Sequence, residues 1–119
     1  MILWAGVMVL GGAGAVARFL VDRAVTSALG RPFPLGTLVV NVSGALVLGF
    51  LGGVALSPHL ALLFGVGFIG SYTTFSTWML ETHRLAEERR AWPAMANVAG
   101  SVVLGLVAAA TGLWLGGRL

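Results

Sequence analysis

Cysteine is absent from the 119 residues, which excludes disulfides and thiolate metal sites. Charge is scarce. Only 9% of the residues are charged, against roughly 25% in a soluble domain. Lysine is missing, so the seven basic residues are all arginines, set against four acids. No basic run is longer than Arg89-Arg90. The pI near 11.2 therefore reads as loop and interface charge on a membrane protein, not as a nucleic-acid surface. With 58% hydrophobic residues and a mean hydropathy of +0.97, the chain cannot cover a water-facing surface, and its solvent is the bilayer.

The few charges punctuate the chain. None occurs from Ile2 to Ala17, and none between Arg31 and Glu81. The second gap is too long for one span and is divided at Ser57-Pro58-His59, where a Pro marks a turn. The last uncharged run opens with Trp92-Pro93, which suits a membrane interface and a helix's first turn. A bilayer-spanning helix needs about 20 apolar residues, and four fit, at roughly 2–26, 35–56, 60–80 and 93–116. The first segment has no basic n-region and reads as a span, not a cleavable leader. Pro32, Pro34 and Gly36 mark a connecting loop before the second helix. No linker or second domain is visible, so residues 1–119 read as one transmembrane domain.

A polar run, Gly70-Ser71-Tyr72-Thr73-Thr74-Phe75-Ser76-Thr77, interrupts the third span about ten residues in. Lipid offers no hydrogen-bond partners, so such chain survives only against protein or a water-filled cavity. It marks a pathway or binding-site candidate. The second helix carries Thr37, Asn41, Ala45, Gly49 and Gly53 at i,i+4 spacing, and the fourth carries Asn97, Ser101, Gly105 and Ala109. Small residues let helices approach closely in lipid. For the glycines and alanines that packing role suffices. Asn41 needs partners at mid-span, through either a structural bond or a polar pathway. Four short helices can hardly enclose a water-filled path alone, which predicts an oligomer.

Other motifs carry no function. Gly65-Val66-Gly67-Phe68-Ile69-Gly70 matches a dinucleotide fingerprint but lacks a βαβ context and the downstream acid. Asn41-Val42-Ser43 matches a glycosylation acceptor but lies mid-span. His83 and Glu87 share a helix face with no third ligand and read as a solvated helix end. His59 stands alone in a loop. No carboxylate lies deep in a span, which argues against a proton- or cation-coupled carrier.

Three motifs resemble the Fluc (CrcB) fluoride channels. The first helix has a Gly-rich run, Gly11-Gly12-Ala13-Gly14-Ala15-Val16-Ala17-Arg18-Phe19. The second opens Pro34-Leu35-Gly36-Thr37-Leu38-Val39-Val40-Asn41, followed by Gly44 and Gly49. The third, Gly67-Phe68-Ile69-Gly70-Ser71-Tyr72-Thr73-Thr74-Phe75-Ser76-Thr77, is the most specific. The resemblance covers nearly the whole chain. It implies an all-α membrane protein with four spans, the third broken, paired as an antiparallel dual-topology dimer with two pores in a bacterial-type plasma membrane. It implies a structural Na⁺ at the break, held by backbone carbonyls matching Gly70 and Thr73. It places Asn41, Phe75, Ser76 and Thr77 on the fluoride pathway and Arg18 in an electropositive vestibule. The chemistry is consistent with those roles. A strongly hydrated anion needs replacement donors, which amide and hydroxyl groups supply. An aromatic ring offers a positive edge, and a fixed cation concentrates anions.

Passive fluoride export, which needs no catalytic residue, is the expected function. A four-helix multidrug or cation exporter is the alternative, but that class needs an embedded carboxylate in its first helix, and here Arg18 precedes the first acid, Asp22. A non-conducting partner subunit of a heterodimeric channel is a third reading. Two positions depart from the family pattern. Trp78 stands where the family usually has a second pathway Phe. In the fourth helix only Ser101 continues the polar face, with Gly105 and Ala109 after it, which leaves a degenerate second pore open. The face carrying the first and third loops holds Arg23, Arg31, Arg84, Arg89 and Arg90, whereas the other holds only Arg118. By the positive-inside rule this places both termini outside the cytoplasm. A fixed orientation suits pairing with an oppositely oriented paralogue, whereas the family's homodimers insert both ways.

Overall fold

The structure, a computed structural model, describes residues 1–29 and 34–119. The expected loop at Pro32 and the loop arginine Arg31 lie outside the described residues. Among those described, every regular element is helical. Helix α1 is Ile2–Leu29 and α2 is Leu35–Val54. The third span has two parts. Helix α3 combines Pro58–Leu60, a π-helical stretch Ala61–Ile69, and Gly70–Tyr72. After an interruption comes α4, Ser76–Glu87. Helix α5 is Ala91–Gly117. Among the described residues four helical segments, counting Pro58–Glu87 as one, are long and apolar enough to cross a membrane.

The helix ends differ from the sequence expectation for local reasons. Helix α2 stops at Val54 because Ala55 turns into the left-handed region at φ 60°, its N–H bonding the Gly52 carbonyl at 3.2 Å. Ser57-Pro58 starts a helix as well as breaking one. The Ser57 hydroxyl accepts the Leu60 N–H at 3.4 Å, and Pro58 takes the first turn, where its missing N–H costs nothing. Helix α4 runs to Glu87, past the end of the apolar run at Leu80, because helical hydrogen bonding continues after the chain becomes too polar for hydrocarbon. There His83 and Glu87 pair at 3.4 Å while both remain exposed, as a solvated helix end should.

Little of the chain is buried, and the exposed side chains are large and apolar, such as Val9, Val16, Leu20, Val103 and Leu106. That is the surface expected against lipid. Trp92 and Trp114 are exposed at opposite ends of α5, and the Arg118 guanidinium lies 4.3 Å from the Trp114 ring centroid, as interfacial anchors do.

Helices α2 and α5 form the most extensive pair, and they meet backbone to backbone. A Cβ on Gly49 would overlap the Ala109 carbonyl, and one on Gly53 the Leu113 carbonyl. Cβ atoms on Gly112 and Gly116 would overlap the carbonyls of Leu46 and Phe50. The α2 stripe is thus used as expected. On α5 the crossing lies at Ala109, Gly112 and Gly116, whereas a Cβ on Gly105 would meet open space. Without hydrophobic gain between helices in lipid, close backbone packing holds such a pair together. Gly49→Val should therefore lower stability by about 1–3 kcal/mol, as overpacking does. Gly100→Ala, on the same α5 helix with open space around it, should not lower stability and should raise it by about 0.5–1 kcal/mol through helix propensity. Unfolding midpoints of the purified protein in detergent check both.

Candidate functional site

The site is built on the interruption between Tyr72 and Ser76. Helical bonding ends where the Thr73 N–H reaches the Ile69 carbonyl at 3.0 Å, reinforced by the Thr73 hydroxyl on the same oxygen at 3.1 Å. Thr73 then extends, at φ −79° and ψ 161°. In a continuous helix the Thr74 N–H would bond the Gly70 carbonyl. Instead it donates to Asn41 Oδ1 at 2.8 Å, while Asn41 Nδ2 donates to the Thr74 carbonyl at 2.8 Å. One side-chain amide of α2 thus satisfies both backbone groups of Thr74, the structural bond that a mid-span Asn requires. The Thr77 N–H would likewise bond the Thr73 carbonyl in a continuous helix, but it donates to Thr74 Oγ1 at 3.2 Å. The Ser71 carbonyl accepts Arg18 Nε at 3.4 Å.

These diversions leave two particular oxygens without their helical donors. Gly70 and Thr73 lose their helical donors, one to Asn41 and the other to the Thr74 hydroxyl. They are the two residues whose carbonyls were expected at a cation. Small residues permit the approach of the surrounding helices. A Cβ on Gly44 would overlap the Thr73 side chain, and one on Gly14 the Phe68 carbonyl. Ser43 Oγ and Tyr72 OH, 2.9 Å apart, tie α2 to the end of α3.

Two cavities flank the Asn41–Thr74 pair. One, about 400 Å³, is lined by Asn41, Thr74, Phe75, Trp78 and Ser101 among others. Ser101 Oγ is buried with no hydrogen-bond partner among the described residues. The second, about 10 Å³, is lined by Arg18, Asp22, Thr37, Val40, Thr74 and Thr77, which is room for about one water-sized occupant. The structure therefore brings Asn41, Phe75, Trp78 and Ser101 together, and Arg18 with Thr77, with Thr74 common to both groups. Ser76 lines neither cavity. It is exposed and lies 3.4 Å from Thr74 Oγ1.

Trp78 is bonded through its extra group. Its Nε1–H donates to the Asn97 carbonyl on α5 at 3.1 Å. Asn97, 2% exposed, donates from Nδ2 to Thr82 Oγ1 at 2.8 Å, and Thr82 donates to the Trp78 carbonyl at 2.9 Å. The indole N–H is thus committed to α5, and what faces the cavity is ring. Phe75 meets that ring at 84°, with centroids 5.6 Å apart. Two features escaped the sequence reading, Thr74 as the partner of Asn41 and Thr82 as the partner of Asn97. The only sequence signal for Thr82 is its i+4 spacing from Trp78, and nothing distinguishes Thr74 from Thr73. Asn97→Ala should destabilise the protein by about 1–3 kcal/mol, because it leaves buried polar groups without a partner. Asn97→Asp should lose at least as much, because a carboxylate cannot donate to Thr82 and brings a charge into a site only 2% exposed. Thermal unfolding of the purified variants measures the difference.

A four-span bundle with a discontinuous helix, open carbonyls and a cavity holding a few polar groups at membrane depth belongs to the class of membrane proteins that move small ions or solutes. The comparisons with known proteins narrow it. The family described as "CrcB-like protein, Camphor Resistance (CrcB)" matches residues 5–113. The chain is 60% identical over 113 residues to "Fluoride-specific ion channel FluC 2" of Mycobacterium bovis, covering 95% of this chain and 90% of that one. It is 63% identical over 110 residues to the protein of the same name from Mycolicibacterium paratuberculosis, covering 92% and 90%. It is 45% identical over 115 residues to "Fluoride-specific ion channel FluC 1" of Leifsonia xyli, covering 93% and 84%. The chain belongs to the CrcB family. The names are those of channels, not enzymes, and this displaces the multidrug-exporter alternative.

Proposed function

We propose that the chain is a fluoride-selective channel that lets fluoride leave the cell passively through the plasma (inner) membrane. The observation that carries this reading is the set of unspent donors beside the break. Asn41 has two amide N–H groups and gives one to Thr74. Ser101 Oγ has no partner among the described residues. The Phe75 ring is 70% exposed and can turn its positive edge toward an anion. A small anion entering the cavity exchanges water for these groups. Thr77 and Arg18 line the cavity on the far side of Thr74, where the Arg18 charge attracts anions. Ser76 lies beside this path. The bonded Trp78 contributes a wall and a ring edge, in place of a second Phe.

The same reading includes a second subunit. Gly70 and Phe75 are exposed in the single chain, and open carbonyls at membrane depth cannot face lipid. A second copy, inserted antiparallel, would cover them. The carbonyls of Gly70 and Thr73 from both copies would then form an oxygen cage for a structural Na⁺, a hard cation that takes backbone oxygens. The diversion of their helical donors supports this assignment, and Na⁺ would neutralise the converging carbonyl dipoles. A specific observation favours a second form of pairing. Arg23 and Arg84 line one cleft at one end of the bundle, Arg89 and Arg90 follow α4 at that end, and Arg118 is at the far end of α5. That asymmetry suits a fixed orientation and an oppositely oriented paralogue as partner, in which this chain is one half of a heterodimer.

Fluoride-loaded liposomes containing this chain alone should release fluoride when a potassium ionophore is added, and chloride-loaded ones should not. Equal chloride flux would refute the selectivity. Asn41→Ala removes a hydrogen bond to an anion, about 1.5–3 kcal/mol, so fluoride flux should fall by about ten- to hundredfold. Phe75→Ile keeps bulk but removes the ring edge and should fall similarly, with assembly retained on size exclusion. Normal flux in both would make these residues packing elements.

C-terminal alkaline-phosphatase and green-fluorescent-protein fusions test the orientation. Signal from phosphatase alone, in cells lacking any partner, is the outcome expected of a fixed subunit, and comparable signal from both reporters would support the homodimer.

A further inference from the structure

Resting on the cation reading above, we infer that Asn41 and Thr74 are positioning residues for the cation: by capturing the N–H groups of Thr74 and Thr77, they keep the Gly70 and Thr73 carbonyls open. A helix allots each carbonyl the N–H four residues on. The Gly70 oxygen is due the Thr74 N–H, which sits 2.8 Å from Asn41 Oδ1. The Thr73 oxygen is due the Thr77 N–H, which sits 3.2 Å from Thr74 Oγ1. Two side-chain acceptors, one on α2 and one within the interruption itself, thus withdraw the helical donors of the two expected ligands. The Thr74 carbonyl is itself taken by Asn41 Nδ2 and the Ser71 carbonyl by Arg18 Nε. Asn41 thus both frees the Gly70 oxygen and occupies that of Thr74, while Arg18 occupies that of Ser71. The opening of these two oxygens thus involves side chains that would not touch the cation.

This separates two roles within Asn41. Its Oδ1 acts on the Gly70 carbonyl through Thr74, and its free Nδ2–H faces the cavity. An alanine at 41 removes both, and the Thr74 N–H returns to Gly70. An aspartate retains an acceptor for the Thr74 N–H while losing the amide donors. The threonine pair behaves in parallel. Thr74→Ala returns the Thr77 N–H to Thr73, whereas Thr74→Ser keeps the hydroxyl acceptor.

The test is the unfolding midpoint of the purified full-length protein, titrated with Na⁺ at constant ionic strength against an organic cation. A ligand that binds only the folded protein raises the midpoint with concentration. The wild type should respond to Na⁺. Asn41→Ala and Thr74→Ala should show the response displaced to about tenfold higher Na⁺ or more, the change expected from losing one hydrogen-bond-strength ligand interaction. Thr74→Ser should retain the wild-type response. If Asn41→Ala does not assemble, the Thr74 pair decides alone. An unchanged Na⁺ response in the alanine variants that assemble overturns the inference. A wild type without a Na⁺-specific response defeats the cation reading and this inference together. Fluoride efflux measured on the same wild-type sample shows whether the channel reading survives. A Na⁺ response without fluoride efflux defeats only the channel reading.

Discussion

The structure depends on one constraint, that a peptide group at membrane depth must find its hydrogen-bond partners within the protein. The third span violates helical continuity in the middle of an apolar stretch, and the Asn41 side chain makes that tolerable. A carboxamide has a donor and an acceptor side by side, the same complement as a peptide group, so it pairs with Thr74 as a neighbouring backbone would. The contact requires α2 to lie close to the interruption, and Gly44 supplies the clearance against Thr73. Arg18 reaches the Ser71 carbonyl from α1. Two spans thus converge on one irregular segment, and the cavities on either side of Thr74 follow from that convergence.

The sequence made the architecture legible because charge is so scarce. With only eleven charged residues, their clusters mark the ends of spans. The interruption was equally plain as a polar run in an apolar segment. Helix ends were less visible, since hydropathy marks where a chain leaves lipid and hydrogen bonding marks where a helix stops. The α4 extension through His83 to Glu87 is helical without being apolar. The crossing of α2 and α5 was only half readable. Gly49 and Gly53 lie on a stripe in α2, but α5 offers small residues at Gly105 and Ala109 and again at Gly112 and Gly116, and only three-dimensional packing chooses between them.

At the site, residue type was legible and partnership was not. Asn41 had to be bonded, because a bare amide in lipid is costly, yet nothing in the chain points to Thr74 in preference to its neighbour. Trp78 stood out as a departure with an N–H to satisfy. That the Asn97 carbonyl would satisfy it depends on how α4 lies along α5, a distance of 19 residues in sequence. Arg18 was read as a vestibule charge, and its bond to Ser71 shows that the same side chain also braces the interruption.

The bond from Trp78 to Asn97 has a mechanical meaning. The interruption is tied to α2 by Asn41, α2 is locked to α5 by interleaved glycines, and α5 is tied by Trp78 to α4, which leads back to the interruption. These links form a closed circuit that includes walls of the larger cavity. Alternating access requires one group of helices to rock against another. Here such rocking would have to part either a backbone-to-backbone crossing or a buried amide network. A circuit of this kind favours a standing passage with fixed walls, in which ions move and helices do not.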